Sequence, residues 1–217
     1  MKKTLINLLV VGSTIGAAHA FNISVTNAAS SDSTAVPILD NTGAAISDGG
    51  GFVASGTFSA APTSIDDISN FSPFGSGSTS FSGAGLDGLF SNVRNLALPE
   101  ATEADNPLVG SAIFVVFGNG DTLADSTAFA IVDAGALIGT DAAAPAPESS
   151  ADVVINDAFL TTDNLIVGDL VTDVDLGLPI NFNEGIQLVG AGDAVPEPST
   201  SLLAGLAALG LVARRRR

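Results

Sequence analysis

Carboxylates are the side chains with the greatest chemical capacity in this sequence. Residues 21–196 contain 22 Asp and Glu residues and one basic residue, Arg94, and they lack His, Cys, Lys, Tyr, Trp and Met. Without imidazole, thiol or amine groups, nucleophilic triads and dyads have no general base, and imidazole or thiolate metal sites cannot form. We therefore expect that the protein is not an enzyme.

Carboxylates alone leave one catalytic alternative open. Two of them at a suitable separation can hydrolyse glycosides. With 22 acidic residues in one domain, some pair is expected by chance, and no motif singles out an acid and its partner. A carboxylate-based, glycosidase-like enzyme is therefore the second alternative function and not the favoured one.

Two groups of oxygen-bearing side chains are candidate calcium ligands, because Ca²⁺ binds carboxylate and carbonyl oxygens. One group follows an apolar segment and the other alternates through residues 168–177. Neither spacing matches the EF-hand loop, and solvated acids in turns and edge strands are the favoured interpretation. We expect no cofactor, with calcium as the open alternative and a calcium-dependent sugar- or partner-binding module as the first alternative function. The candidate ligands are Asn119, Asp121, Asp125, Asp169, Asp173 and Asp175.

The distribution of charge separates both ends of the chain from its middle. Lys2, Lys3 and the four arginines at 214–217 are six of the seven basic residues. The acidic middle segment repels phosphate backbones, so we expect no nucleic-acid partner. Targeting segments around a separate folded domain would produce this pattern. The predicted divisions are 1–20, an acidic extracellular domain at 21–193, and a C-terminal tail at 194–217.

The first 20 residues have the features of a secretory signal peptide. Lys2 and Lys3 form a positive start, residues 5–15 form a short apolar segment, and Ala18 and Ala20 provide the small side chains that signal peptidase requires. We predict cleavage before Phe21. Signal peptidase is therefore an expected processing partner.

The C-terminal tail combines a proline motif, an apolar segment and a basic end. Residues 202–213 are apolar, and as a helix they would reach roughly 18 Å at about 1.5 Å per residue. The hydrocarbon core of a bilayer is about 30 Å thick, so this predicted hydrophobic helix favours a processing signal over a permanent anchor. Basic residues remain cytoplasmic. The motif is Pro196, Glu197 and Pro198, and the basic end is Arg214, Arg215, Arg216 and Arg217.

This order of features resembles the PEP-CTERM sorting signal of Gram-negative bacteria. The resemblance covers the tail and none of the domain. It implies recognition by an exosortase, a membrane-embedded enzyme similar to cysteine transpeptidases, and removal of the tail. It also implies export, anchoring in the inner membrane before processing, and then a location at the cell surface or outside the cell. Association with extracellular polysaccharide is implied in the same way, and a structural role is the favoured function.

The middle of the chain has the pattern of a mainly β domain. Phe and β-branched residues gather in short segments that Gly, Asn, Asp, Ser and Pro clusters separate. The clearest hairpin pairs 112–117, an apolar run expected to be covered on both faces, with 127–132. Residues 86–97 are ambiguous: their apolar residues have helical spacing, but Gly88 weakens a helix there, so one short helix is allowed at this position and none elsewhere. Residues 60–85 and 141–151 have the composition of loops. We predict a β-sandwich or jelly-roll-like domain with at most one short helix. The predicted strands are 21–26, 35–39, 51–59, 93–98, 111–118, 127–132, 152–156, 164–171 and 185–190.

Overall fold

The computed structural model describes residues 21–28, 33–74, 80–81, 84–91, 93–97, 108, 110–137 and 150–190. Within these ranges the domain is mainly β, as predicted, with twelve strands and one short 3-10 helix at Ile65–Asn70. The strands are β1 (Phe21–Thr26), β2 (Ile38–Leu39), β3 (Phe52–Phe58), β4 (Phe71–Pro73), β5 (Val93–Ala97), β6 (Ala112–Gly118), β7 (Ala128–Leu137), β8 (Ser150–Val154), β9 (Leu165–Val167), β10 (Asp169–Val174), β11 (Phe182–Gln187) and β12 (Val189–Gly190).

Two predicted segments lie outside the described residues. These are the signal peptide at 1–20 and the tail at 194–217, which includes the predicted hydrophobic helix. Most of the predicted loop at 141–151 also lies outside them. In the described ranges, no helix is both long enough and apolar enough to cross a membrane.

Each of the nine predicted strands overlaps an observed strand, and β4 was not predicted. Two of the predicted strands are divided in the structure. The segment predicted at 164–171 separates into β9 and β10 at Gly168. The φ of Gly168 is 120°, a backbone conformation that glycine adopts much more readily than other residues. The segment predicted at 185–190 separates into β11 and β12 at Leu188. Local composition therefore predicted where strands occur, but not where their pairing partners change.

The short helix allowed at 86–97 does not form in the described residues. Gly88 has a φ of 76° and its backbone N–H donates to the Ile46 carbonyl, so a helix cannot continue through it. Val93–Ala97 forms β5 instead. The segment predicted as the loop 60–85 contains the short helix, followed by β4.

The strands form three sheets. The largest has the order β12-β7-β6-β3-β4, with β9 also paired to β7, and its neighbours are antiparallel. The second has the order β5-β1-β8 and the third β10-β11-β2, and each contains one parallel pair. The predicted hairpin is confirmed, since Val116 of β6 lies opposite Ile131 of β7.

The two largest apolar clusters of the core lie on opposite faces of the large sheet. The main cluster takes fully buried side chains from all three sheets, among them Val115 of β6, Ile23 of β1 and Ile186 of β11. Alternate β6 residues, Phe114 and Val116, belong to a second cluster. Both faces of β6 are therefore covered, as its continuous apolar run predicted.

Asn27 is a buried polar residue that joins segments far apart in the chain. Its side chain is 1% exposed. The amide Nδ2 donates to the carbonyls of Val36 and Gly88 at 2.8 and 2.9 Å, and Oδ1 accepts from the Phe90 N–H at 2.7 Å. One side chain thus bonds to three buried backbone groups, of which the Gly88 carbonyl also accepts from the Ile38 N–H.

Candidate functional site

The turn at residues 119–127 connects β6 to β7 and contains the first three candidate calcium ligands. Asn119 Oδ1 accepts hydrogen bonds from the backbone N–H groups of Thr127 and Ala128 at 2.9 and 3.0 Å. Asp125 Oδ2 accepts from Thr122 Oγ1 at 2.6 Å. Asp121 is exposed. Two of the three predicted ligands therefore have a side-chain oxygen engaged in holding the turn.

The second candidate group lies on β10 and the loop after it. Asp169 and Asp173 are exposed on this strand, and Asp175 Oδ1 accepts from the Gly177 N–H at 2.8 Å. The alternation of Asp173 and Asp175 would direct both side chains to one side only if the backbone between them were extended. Asp173 has a φ of 57°, which interrupts that extension. The geometric basis for pairing these two carboxylates is therefore absent.

The described residues bring together no group of three or more Asp, Glu, His or Cys side chains that could hold a metal ion. Calcium takes six to eight oxygen ligands at about 2.3–2.6 Å. Calcium binding at either candidate group therefore stays a prediction without support from the described geometry.

Two other carboxylates have structural positions in turns. Partial burial raises the pKa of Asp40. Its carboxylate accepts hydrogen bonds from the Thr42 hydroxyl and from the backbone N–H groups of Thr42, Ala44 and Gly43, and these bonds lower the pKa. The lowering is larger, so the pKa of Asp40 lies below its usual value. The backbone N–H groups of Thr63 and Ser64 lower the pKa of Asp67. Both groups are therefore stabilised as carboxylates, as turn-forming acids are expected to be.

A shallow depression of about 220 Å³ lies between two loops of the described domain. It is lined by Gly85, Leu86, Asp87, Leu176 and Leu178. The carboxylate Oδ1 of Asp87 accepts from the Asp48 N–H at 2.9 Å. One carboxylate in this lining is fewer than the pair that a glycosidase mechanism requires, so the depression does not support the enzymatic alternative.

Sequence reasoning missed the polar groups that the core encloses. Ser55 Oγ and Glu184 Oε2 are buried, and no hydrogen-bond partner accompanies them among the described residues. The three bonds of the Asn27 side chain were also missed. Nothing in the local sequence signals these environments, because burial is created by segments that are distant in the chain.

Comparison with known proteins finds one family match. Residues 194–217 match the family model described as the PEP-CTERM protein-sorting motif. No curated protein and no solved structure matches the chain. The tail therefore carries a sorting signal of the kind found on exported proteins that an exosortase processes at the membrane. The match does not extend into residues 21–193.

Proposed function

We propose that this protein is a non-enzymatic cell-surface or extracellular-matrix protein whose tail is removed by an exosortase during export. The observation that carries the proposal is the family match of residues 194–217. Proline lacks a backbone donor and disfavours helix at the preceding residue. Pro196 and Pro198 therefore favour a segment that a processing enzyme can bind in extended form.

The N-terminal part of the proposal is that signal peptidase cleaves before Phe21. Two observations support it. Residues 1–20 have the charge, apolar segment and small residues of a signal peptide. The first strand of the described domain, β1, begins at Phe21. Cleavage at this bond would thus release the domain without removing any residue of β1.

The molecular role proposed for the domain is structural and associated with extracellular polysaccharide, with the sheets arranged as a sandwich or jelly roll. The packing of side chains from all three sheets into one cluster supports that arrangement. The excess of acidic residues keeps such a domain soluble by self-repulsion. The absence of His, Cys and Lys from residues 21–196 supports a role without catalysis.

The experiment that tests this proposal is the intact mass of the protein recovered from membrane and extracellular fractions of its native host. We expect the extracellular form to lack residues 1–20 and everything after about Pro196. The variant Glu197→Ala should retain its tail and stay in the membrane fraction. The matched control is Glu148→Ala, because Glu148 also follows a proline, and it should be processed like the unmodified protein.

Two outcomes would contradict the proposal. If the unmodified protein keeps its C-terminus and stays in the membrane, the tail is a plain anchor. If Glu197→Ala and Glu148→Ala are processed equally well, the Pro-Glu-Pro motif is not what the enzyme recognises. Loss of both variants from every fraction would instead require comparing their folding by circular dichroism.

A further inference from the structure

Basic residues are the sites at which trypsin-class proteases cut, and the chain has one of them between its two ends. These proteases cut after Lys or Arg, because a carboxylate in their specificity pocket pairs with the positive side chain. Arg94 is the only Lys or Arg between residues 4 and 213. A protease of this class that meets the domain therefore has one peptide bond to cut there, the bond between Arg94 and Asn95.

The bond after Arg94 lies inside strand β5. This strand pairs antiparallel with β1 over five residue pairs, and Arg94 lies opposite Ser24. A protease binds several residues around the cleaved bond in extended form, so exposed loops are cut more readily than paired strands. The bond after Arg94 therefore becomes available when β5 separates from β1.

Separation of β5 requires the loss of one strand ladder. Among the described residues, β5 is the edge strand of its sheet and β1 is its one strand partner, whereas β1 also pairs with β8. Ile23 and Val25 of β1 are fully buried in the main cluster. β5 can thus separate while β1 stays attached to β8 and to the core. Local openings of this kind cost less free energy than global unfolding.

Cleavage after Arg94 divides the chain between strands that belong to the same sheets. The N-terminal part carries β1 to β4, and the C-terminal part carries β6 to β12. β1 pairs with β8, β2 with β11 and β3 with β6, so each of the three sheets contains strands from both parts. The main cluster also takes side chains from both parts, among them Val53 and Val115. Backbone pairing and apolar burial therefore favour a cleaved domain whose two parts stay together.

We propose that the bond between Arg94 and Asn95 is a processing site for a trypsin-class protease outside the cell, that docking of β5 on β1 controls access to it, and that the cleaved domain stays assembled. The hydrolysis breaks the C–N bond between the two residues. The Arg94 carbonyl carbon takes the hydroxyl of one water molecule, and the Asn95 nitrogen takes the remaining proton. The location of this step rests on the proposed function, whereas the cleavage and its control are properties of the folded chain.

Trypsin digestion of the full chain in mild detergent tests the site, with the products identified by mass. In the unmodified protein we expect one internal cut, which gives a fragment that ends at Arg94 and a fragment that begins at Asn95. Arg94→Gln should show no internal cut. Arg94→Lys should be cut at the same position by a protease specific for Lys, which should leave the unmodified protein intact there.

The rate of the cut tests its protection by β1. The matched control is Ala60→Arg, which places a second site in the exposed loop between β3 and the short helix. We expect cleavage after position 60 to be at least about tenfold faster than cleavage after Arg94, since the loop requires no strand separation. Equal rates would overturn the control by strand docking. If the control is cut to completion at position 60 and no cut follows Arg94, the site itself is overturned.

Two isoleucine substitutions test whether the opening is local. Ile23 on β1 and Ile186 on β11 are both fully buried in the main cluster, and Ile23 lies opposite Asn95. For a given loss of stability in urea unfolding, Ile23→Ala should accelerate cleavage after Arg94 at least about threefold more than Ile186→Ala, because it loosens the strand that holds β5. Equal acceleration for equal loss of stability would show that the site opens by global unfolding, which would overturn the control by β5.

Size-exclusion chromatography of the cleaved protein tests its assembly. We expect the two fragments to elute together at the volume of the uncut protein, with its far-ultraviolet circular dichroism retained, and to separate in urea. Separate elution without urea would overturn the assembled state and leave the cleavage site in place. None of these measurements uses an exosortase, so a tail that is retained in the native host would overturn the proposed function alone.

Discussion

The strands β6 and β10 have contrasting environments within one small domain. β6 pairs on both sides, with β3 and β7, and six of its seven residues are buried. β10 pairs with β11 in the described structure, and it exposes Asp169, Thr172 and Asp173. The difference shows that local composition distinguishes an interior strand from an edge strand. A continuous apolar run builds the interior, whereas acids interrupt a strand that lies at a sheet edge and deter further pairing.

The largest expected effect is a difference in the free energy of unfolding between substitutions on β6 and on β10. Phe117 of β6 is 0% exposed, and its ring centroid lies 5.8 Å from that of Phe90 and 6.1 Å from that of Phe81. Phe117→Ala should lower the free energy of unfolding by about 3–5 kcal/mol, because it leaves a cavity. Val171→Ala on β10, where the side chain is half-buried, should lower it by about 1 kcal/mol or less.

The measurement for this pair is denaturant unfolding followed by far-ultraviolet circular dichroism, since the chain has no Trp or Tyr for fluorescence. Losses of equal size in the two variants would mean that β10 is as deeply integrated in the core as β6, which would remove the contrast between them.

A smaller effect concerns the polar side chain that joins the interior segments. Asn27→Ala removes the three hydrogen bonds to Val36, Gly88 and Phe90. The Gly88 carbonyl keeps its bond from the Ile38 N–H, but the Val36 carbonyl and the Phe90 N–H lose their side-chain partner. We expect a loss of about 2–4 kcal/mol. Asn183→Ala on β11 is the control, because that side chain is exposed and donates to the Asp157 carboxylate. The loss of stability from this substitution should stay within about 0.5 kcal/mol. Similar midpoints for the two variants in thermal unfolding would contradict the structural role of Asn27.

The next effect is on the pH dependence of stability. It distinguishes a carboxylate that accepts hydrogen bonds within its turn, such as Asp40, from an exposed carboxylate such as Asp121. The folded pKa of Asp40 lies below its unfolded value of 3.8. The carboxylate therefore adds stability that is present above pH 3.8 and lost as the pH falls through the folded pKa. Asp40→Asn should lower stability at pH 7 by less than about 1 kcal/mol, since solvent screens an exposed turn.

Chemical unfolding at a series of pH values measures this effect. The difference between Asp40→Asn and the unmodified protein should shrink as the pH falls below 3.8. At pH 7, Asp121→Asn, at an exposed position of the other turn, should differ little from the unmodified protein. A difference that stays constant with pH would show that the turn depends on shape and not on charge.

The smallest expected effect is that of calcium. At about 10 mM Ca²⁺, a site with a dissociation constant of about 1 mM, typical of weak extracellular modules, would stabilise the fold by about 1.4 kcal/mol. We expect no thermal stabilisation by Ca²⁺ beyond that by Mg²⁺, because Asn119, Asp125 and Asp175 already accept hydrogen bonds within their own loops. A saturable, calcium-specific shift that Asp125→Asn abolishes would revive the calcium-dependent binding module.

The strands could be predicted because their signals are local. Alternation, apolar runs and Gly-rich breaks act over a few residues, and all nine predicted segments overlap observed strands. The error at 86–97 has the opposite origin. Leu86, Leu89 and Val93 have helical spacing, but pairing of β5 with β1, about 70 residues away, prevails over it.

The candidate calcium groups show the limit of spacing as evidence for a site. Proximity along the chain predicted that Asp169, Asp173 and Asp175 could act together. The left-handed backbone at Asp173 and the bond from Gly177 to Asp175 give these carboxylates separate structural environments. Acids that are close in sequence converge on an ion only when the backbone directs them to one point, and that direction is a property of the folded loop.

The sequence by itself determined the available chemistry, the approximate strands and the sorting tail. The chemistry depends on which side chains exist, the strands depend on local pattern, and a processing enzyme reads the tail as a linear segment. Only the tertiary structure decided that β1 pairs with β5 and β8, that Asn27 bonds to Gly88 and Phe90, and that β12 pairs with the start of β7. These features join residues that are tens to more than a hundred positions apart, and no local pattern specifies such partners.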